Sequence, residues 1–201
     1  MEWDESALRF SFGPLWVVRR YDAHRFYRAI SGADMKGVDF VAIHADRSLV
    51  FIEVKNYTRR YGDQLPDKVP PLDDPAAFAA RVSRKWADSL RAVRVFRLAL
   101  LRRRRYRYLH RVVGRFLAPA HDWRFWTRAY ELSRRADSVH ALLWLELADS
   151  YPGRFNPFDV PKLLLELREA LDAQLPAGIS SVSIANTHMP PDPQSLRARR
   201  L

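Results

Sequence analysis

The chain has 201 residues, of which 34 are Lys or Arg and 23 are Asp or Glu, for a net charge of +11. That length suits one domain with a sizeable core, and a hydrophobic content of 48% with 28% charged residues excludes wholesale disorder. The absence of cysteine excludes disulfide scaffolds, thiolate zinc sites and cysteine nucleophiles; no apolar run reaches the ~18 residues of a spanning helix, and an N-terminus with Glu2, Asp4 and Glu5 does not read as a signal peptide, so a cytoplasmic protein is expected.

Residues 1–20 are mixed, with Phe10, Phe12, Leu15, Trp16, Val17 and Val18 supplying apolar content and Gly13-Pro14 breaking any continuous helix. The stretch from Tyr21 to Ile30 fits neither the helical nor the strand period cleanly. Gly37 to His44 reads as a strand, Ala45 to Ser48 as a turn and Leu49 to Asn56 as a second strand, together a hairpin rich in β-branched and aromatic residues. Residues 58–75, with Pro66, Pro70, Pro71 and Pro75, read as a long loop, and Asp73 or Asp74 as the cap of the next helix.

That helix is amphipathic, with Phe78, Val82, Trp86, Leu90, Val93, Phe96 and Leu100 at three- and four-residue steps. It opens the basic part of the chain. Thirteen Lys or Arg residues lie between Arg81 and Arg115, and Asp88 is the only acid among them. Such a block is an electrostatic footprint for a polyanion, against the alternative of a solvated or partner-binding face. Arg81, Arg84, Arg91 and the run Arg102, Arg103, Arg104 and Arg105 are the candidate nucleic-acid contacts. Further helices are expected at Arg107 to Leu117 and at Asp122 to Arg135, the latter with Trp123, Trp126 and Tyr130 on one side. Val139 to Leu147 reads as a buried strand, followed by a helix capped by Asp159 with Pro161 in its first turn and Gly178 beyond its end. Ile179 to Ala185 is a last short strand. Residues 189–201 read as a flexible basic tail behind a single domain of residues 1–188. The order argues for an α/β fold, a mixed central β-sheet flanked by helices.

The chemistry is concentrated in the hairpin. Asp39 lies on its first strand and Glu53-Val54-Lys55 on its second. Side chains alternate along a strand, so Glu53 and Lys55 share a face, and Asp39 joins them if the register permits. Charges inside Phe51-Ile52-Glu53-Val54-Lys55 are costly unless paired or functional. Two converging carboxylates do not both ionise cheaply without a cation, and a hard divalent ion such as Mg²⁺ accepts one or two carboxylates plus water. Lysine here also stands out because only five of the 34 basic residues are lysine, and lysine is a compact point charge that arginine does not replace.

The segment GVDFVAI with LVFIEVKNY resembles the core motif of the PD-(D/E)xK nuclease superfamily, the restriction-endonuclease-like fold. Asp39 matches the first acid, Glu53 the second and Lys55 the lysine, while Val38 stands where the name-giving proline would be. The resemblance implies that Asp39 and Glu53 ligate Mg²⁺, with Mn²⁺ able to substitute, that the Val54 carbonyl adds a ligand, and that Lys55 assists the attacking water. It implies a strand and a helix ahead of the Asp39 strand, for which residues 15–30 are available with Arg25 to Ile30 as the strand. It also implies that the helix after Lys55 faces the site, which makes Lys85 and Asp88 further candidates, unless they form a routine ion pair within the helix. Asp22 is a further candidate acid. Asn56 and Tyr57 either touch substrate or anchor the strand end. The expected function is a Mg²⁺-dependent nuclease acting on nucleic acid, DNA first, with a homodimer or larger complex as its setting. The alternative is a catalytically silent module of the same fold, binding nucleic acid or a protein partner in a larger defence or repair assembly.

Overall fold

A computed structural model describes residues 1–21, 36–58, 69–102, 121–148, 159–191 and 195–201, the side chains of 97–102 excepted. Its strands are β1 (Glu2–Glu5), β2 (Leu8–Phe12), β3 (Trp16–Arg20), β4 (Phe40–His44), β5 (Ser48–Asn56), β6 (Val139–Glu146), β7 (Ser181–Ala185) and β8 (Leu196–Arg200). Its helices are α1 (Pro70–Asp73), α2 (Pro75–Arg102), α3 (Asp122–Leu132) and α4 (Val160–Ala173). Among the described residues the fold is mixed α/β with two sheets. A five-stranded sheet runs β3-β4-β5-β6-β7, and a three-stranded sheet runs β1-β2-β8. In the larger sheet β3, β4 and β5 pair antiparallel, while β5, β6 and β7 pair parallel.

Burial on both faces explains why its central strands read as continuous apolar runs. One face of β4, β5 and β6 carries Val41, Ile43, Leu49, Phe51, Ala141 and Leu143, packed with the helices. The other carries Phe40, Ala42, Val50, Ile52, Val54 and Trp144, packed with Leu8, Phe10 and Leu196 of the small sheet. Phe10 meets the Trp144 ring edge-on at 5.1 Å. The apolar stripe of α2 closes the first layer, with Phe78, Val82, Trp86, Leu90, Val93 and Phe96 all buried. Trp123, Trp126 and Trp144 are also core residues.

Several expectations change. Residues 1–20 form three strands. The strand flanking β4 is Trp16–Arg20, with Arg20 opposite Phe40; the strand expected at Arg25 to Ile30 lies outside the described residues, as does the helix expected at Arg107 to Leu117. The loop expected over 58–75 contains the helical turn α1, and α2 already begins at Pro75. Asp74 is the residue that caps α2, its Oδ1 accepting from Ala77 N at 2.9 Å, whereas Asp73 accepts from Val69 N. Asp159 sits at the N-cap of α4 but makes no capping hydrogen bond. The largest correction is the C-terminal tail. Leu196–Arg200 is a strand paired antiparallel with β2, Phe12 opposite Leu196 and Leu8 opposite Arg200. Its alternation buries Leu196 and Ala198 and leaves Arg197 and Arg199 exposed; three arginines in five residues conceal that period in the sequence. Among the described residues no helix is long and apolar enough to cross a membrane.

Candidate active site

The β4–β5 register brings the acids together. The ladder ends with Phe40 opposite Ile52, and Asp39, the residue just before β4 rather than on it, continues that alignment to face Glu53. Both fall on the helix-facing side, in line with Val41 on one strand and Phe51 on the other. Asp39 Oδ2 accepts from the Val54 N–H at 2.6 Å, and its carbonyl accepts from Tyr21 N at 2.8 Å. Glu53 is 0% exposed. Its Oε1 receives two ammonium groups, Lys55 Nζ at 2.5 Å and Lys85 Nζ at 2.6 Å. Lys55 Nζ also donates to the Val54 carbonyl at 3.2 Å. The two lysine side chains are 30% and 26% exposed. The carboxylate therefore lies behind a mouth of two cations.

Burial first, and then the charge of Glu53, push the Asp39 carboxyl up to about 7; the Val54 N–H and the lysines pull the other way. Glu53 Oε2 is buried with no hydrogen-bond partner among the described residues. A raised acid beside an unpartnered carboxylate oxygen is a place where added positive charge would be stabilised. The donors fit a hard divalent ion: two carboxylates and the Val54 carbonyl, all oxygen, few enough to leave room for water. Among the described residues no three His, Cys, Asp or Glu side chains converge as a metal cage.

Of the helix candidates, Lys85 joins the site and Asp88 does not. They do not form the intrahelical pair. Asp88 is buried, its Oδ2 accepting from Lys36 N at 3.2 Å and its Oδ1 lying 3.7 Å from Arg91. The neighbouring Ser89 Oγ accepts from Val38 N at 3.1 Å. Together they hold residues 36–38, the approach to Asp39, against α2. Ser89 is a positioning residue absent from the sequence reading. The signal was there, a serine three residues after Trp86 on an otherwise apolar stripe. Asn56 and Tyr57 are strand-end anchors: Asn56 Nδ2 donates to Ser6 O at 2.9 Å, and Tyr57 N donates to Glu146 O at 2.9 Å. Glu146, on the opposite face of the sheet, is buried, with Oε1 accepting from Trp144 Nε1 and from Thr187.

Arg81, Arg84 and Arg91 lie exposed on α2, with the Arg81 guanidinium 6.0 Å from the Phe78 ring centroid. Asp22, Arg103, Arg104, Arg105 and the side chain of Arg102 lie outside the described residues. The chain matches no protein-family model, no curated protein and no solved structure.

Proposed function

We propose that the chain is a metal-dependent phosphodiesterase of the PD-(D/E)xK type, with a restriction-endonuclease-like core, that hydrolyses nucleic acid, DNA in the first instance. The observation that carries this reading is the buried Glu53 carboxylate, set across from Asp39 by the strand register and screened by two lysines at its mouth. Asp39, Glu53 and the Val54 carbonyl would hold Mg²⁺ or Mn²⁺, which when bound lowers the pKa of a coordinated water and stabilises charge on phosphate oxygens. The remaining work falls to the chain. Lys55 orients the attacking water from its place on Glu53 and the Val54 carbonyl. Lys85 commits one contact to Glu53 and offers its other N–H donors to a phosphate oxygen. Among the described residues the four side chains sum to zero with Asp39 ionised and to +1 with it protonated, so the site does not repel a phosphodiester before the metal arrives. The exposed arginines of α2 contact the backbone without reading bases.

The test is cleavage of circular and linear duplex DNA, single-stranded DNA and RNA with Mg²⁺, Mn²⁺ or EDTA, beside identically purified Lys55→Ala protein. Metal-dependent cutting lost in Lys55→Ala is the expected result and identifies the substrate. Binding without turnover in the unaltered protein favours a silent nucleic-acid-binding module. Equal cutting by both proteins overturns the site assignment.

A further inference from the structure

A second basic site lies at the other end of the larger sheet. Leu49 N donates to Ser138 O at 2.8 Å where β5 and β6 begin, several residues before Glu53. Beside that point is a cavity of about 740 Å³ formed by α2, the residues following α3 and the turn before β7. Among the described residues three arginines line it, Arg94, Arg134 and Arg135, against one acid, Asp137.

The arginines are placed by specific contacts. Arg94 Nη2 donates to the Ser133 carbonyl at 3.2 Å. Gly178, with φ of 93°, makes room for it, since a β-carbon there would lie 3.2 Å from that nitrogen. Arg134 lies with Cζ 5.8 Å from the Tyr130 ring centroid, and its Nη1 reaches the Tyr130 hydroxyl at 3.4 Å. Arg135 is exposed and has no side-chain hydrogen bond or ion pair among the described residues. The serine hydroxyls are committed elsewhere, Ser133 Oγ donating to Tyr130 O and Ser180 Oγ to Val139 O. Recognition in the cavity therefore falls to guanidinium groups.

Cations at a helix C-terminus offset the macrodipole, which amounts to roughly half a charge. One guanidinium on the Ser133 carbonyl meets that need at the end of α3. Two more around the same cavity exceed it, and Asp137 cancels only one. Guanidinium forks match phosphate oxygens, and the volume lies within the range of small-ligand sites. We propose that this cavity binds a phosphate-bearing ligand, independently of the Glu53 site. The phosphate has two sources to separate: a free phosphorylated small molecule, or the backbone of a nucleic acid also lying on α2.

Isothermal titration with inorganic pyrophosphate and with a short single-stranded oligonucleotide tests this in EDTA, where nothing is turned over. Three variants are compared with the unaltered protein. Arg135→Glu alters the cavity, Lys85→Ala alters the Glu53 site, and Arg168→Glu makes the same charge change on exposed α4. The expected result is saturable binding weakened roughly tenfold or more by Arg135→Glu and within about twofold by Arg168→Glu. If pyrophosphate shows that pattern, the free ligand is the source; if only the oligonucleotide does, it is a backbone phosphate. Binding of neither at millimolar concentration overturns the proposal. So does equal weakening by both arginine variants, or weakening by Lys85→Ala alone. None of these outcomes bears on whether the Glu53 site hydrolyses nucleic acid.

Discussion

Asp39 illustrates how one side chain couples the site to the stability of the whole fold. Its carboxyl is raised from 3.8 to about 7, by burial and then by Glu53. The folded state therefore holds the proton more tightly than the unfolded state between those values. Stability contributed by this group is present at the acid end and is lost as pH rises towards 7. Asp39→Asn removes that loss and keeps an oxygen for the Val54 N–H. The variant should melt above the unaltered protein at neutral pH, by a margin that grows from about pH 4 to about pH 7 and then levels off, at roughly 2–4 °C per kcal/mol in a chain this size. Thermal melts across that range decide it, and a margin independent of pH would rule out the raised carboxyl. Lys85 gives a second prediction. Lys85→Met leaves the buried Glu53 with one cation and should cost about 1–2 kcal/mol, below the figure for a wholly buried pair because water reaches the mouth. Lys85→Arg should not restore it, since a planar fork does not share one oxygen with Lys55 as a compact ammonium does. Urea unfolding of both variants provides the check.

Between elements, α2 and the approach to β4 are joined by two side chain-to-backbone hydrogen bonds, from Lys36 N to Asp88 and from Val38 N to Ser89. Ser89→Ala leaves a buried N–H without its acceptor and should cost about 1–3 kcal/mol. Ser89→Thr keeps a hydroxyl and should recover part of that cost. If the proposed activity holds, Ser89→Ala should also lower kcat by loosening the approach to Asp39, although neither carboxylate is removed. The C-terminal strand carries another prediction. Removing residues 195–201 strips one edge of β2 of its ladder partner and takes Leu196 and Ala198 out of the core they share with Leu8, Phe10 and Phe12. The truncated chain should lose cooperative unfolding or associate, visible by denaturant titration and light scattering. The amphipathic helix was legible because its period is long and uninterrupted, and the hairpin because β-branched and aromatic residues fill both of its strands. The strand Leu196–Arg200 was not, because a period of two was carried by only Leu196 and Ala198 among arginines. The same composition that suggests a solvated tail is compatible with a strand that has one face in water.

For the whole molecule, charge and layering act separately. The exposed arginines of α2 belong to the basic block that carries the net charge of +11. Nucleic-acid affinity, where present, should fall steeply with salt. Alanine at Arg81, Arg84 or Arg91 should each reduce the slope of log K against log salt by about one where that side chain meets a phosphate. Fluorescence anisotropy over a salt series measures it, and unchanged slopes would remove α2 from the interface. Layering decided what the charge pattern did not. The sequence alone determined the apolar hairpin with Glu53 and Lys55 on its second strand, because β-branched and aromatic residues mark a strand locally and the charges stand out among them; it put Asp39 on the first strand, whereas β4 begins at Phe40 and Asp39 directly precedes it. It also placed the stripe that makes α2 a core helix. Only the tertiary structure decided the rest. Lys85 lies 32 residues from Glu53 in sequence, yet their atoms meet because α2 packs on the helix-facing side of β5. Arg94 reaches the end of α3 and Gly178 for the same reason. Contacts between distant elements depend on which faces the sheet buries, and no local period encodes that.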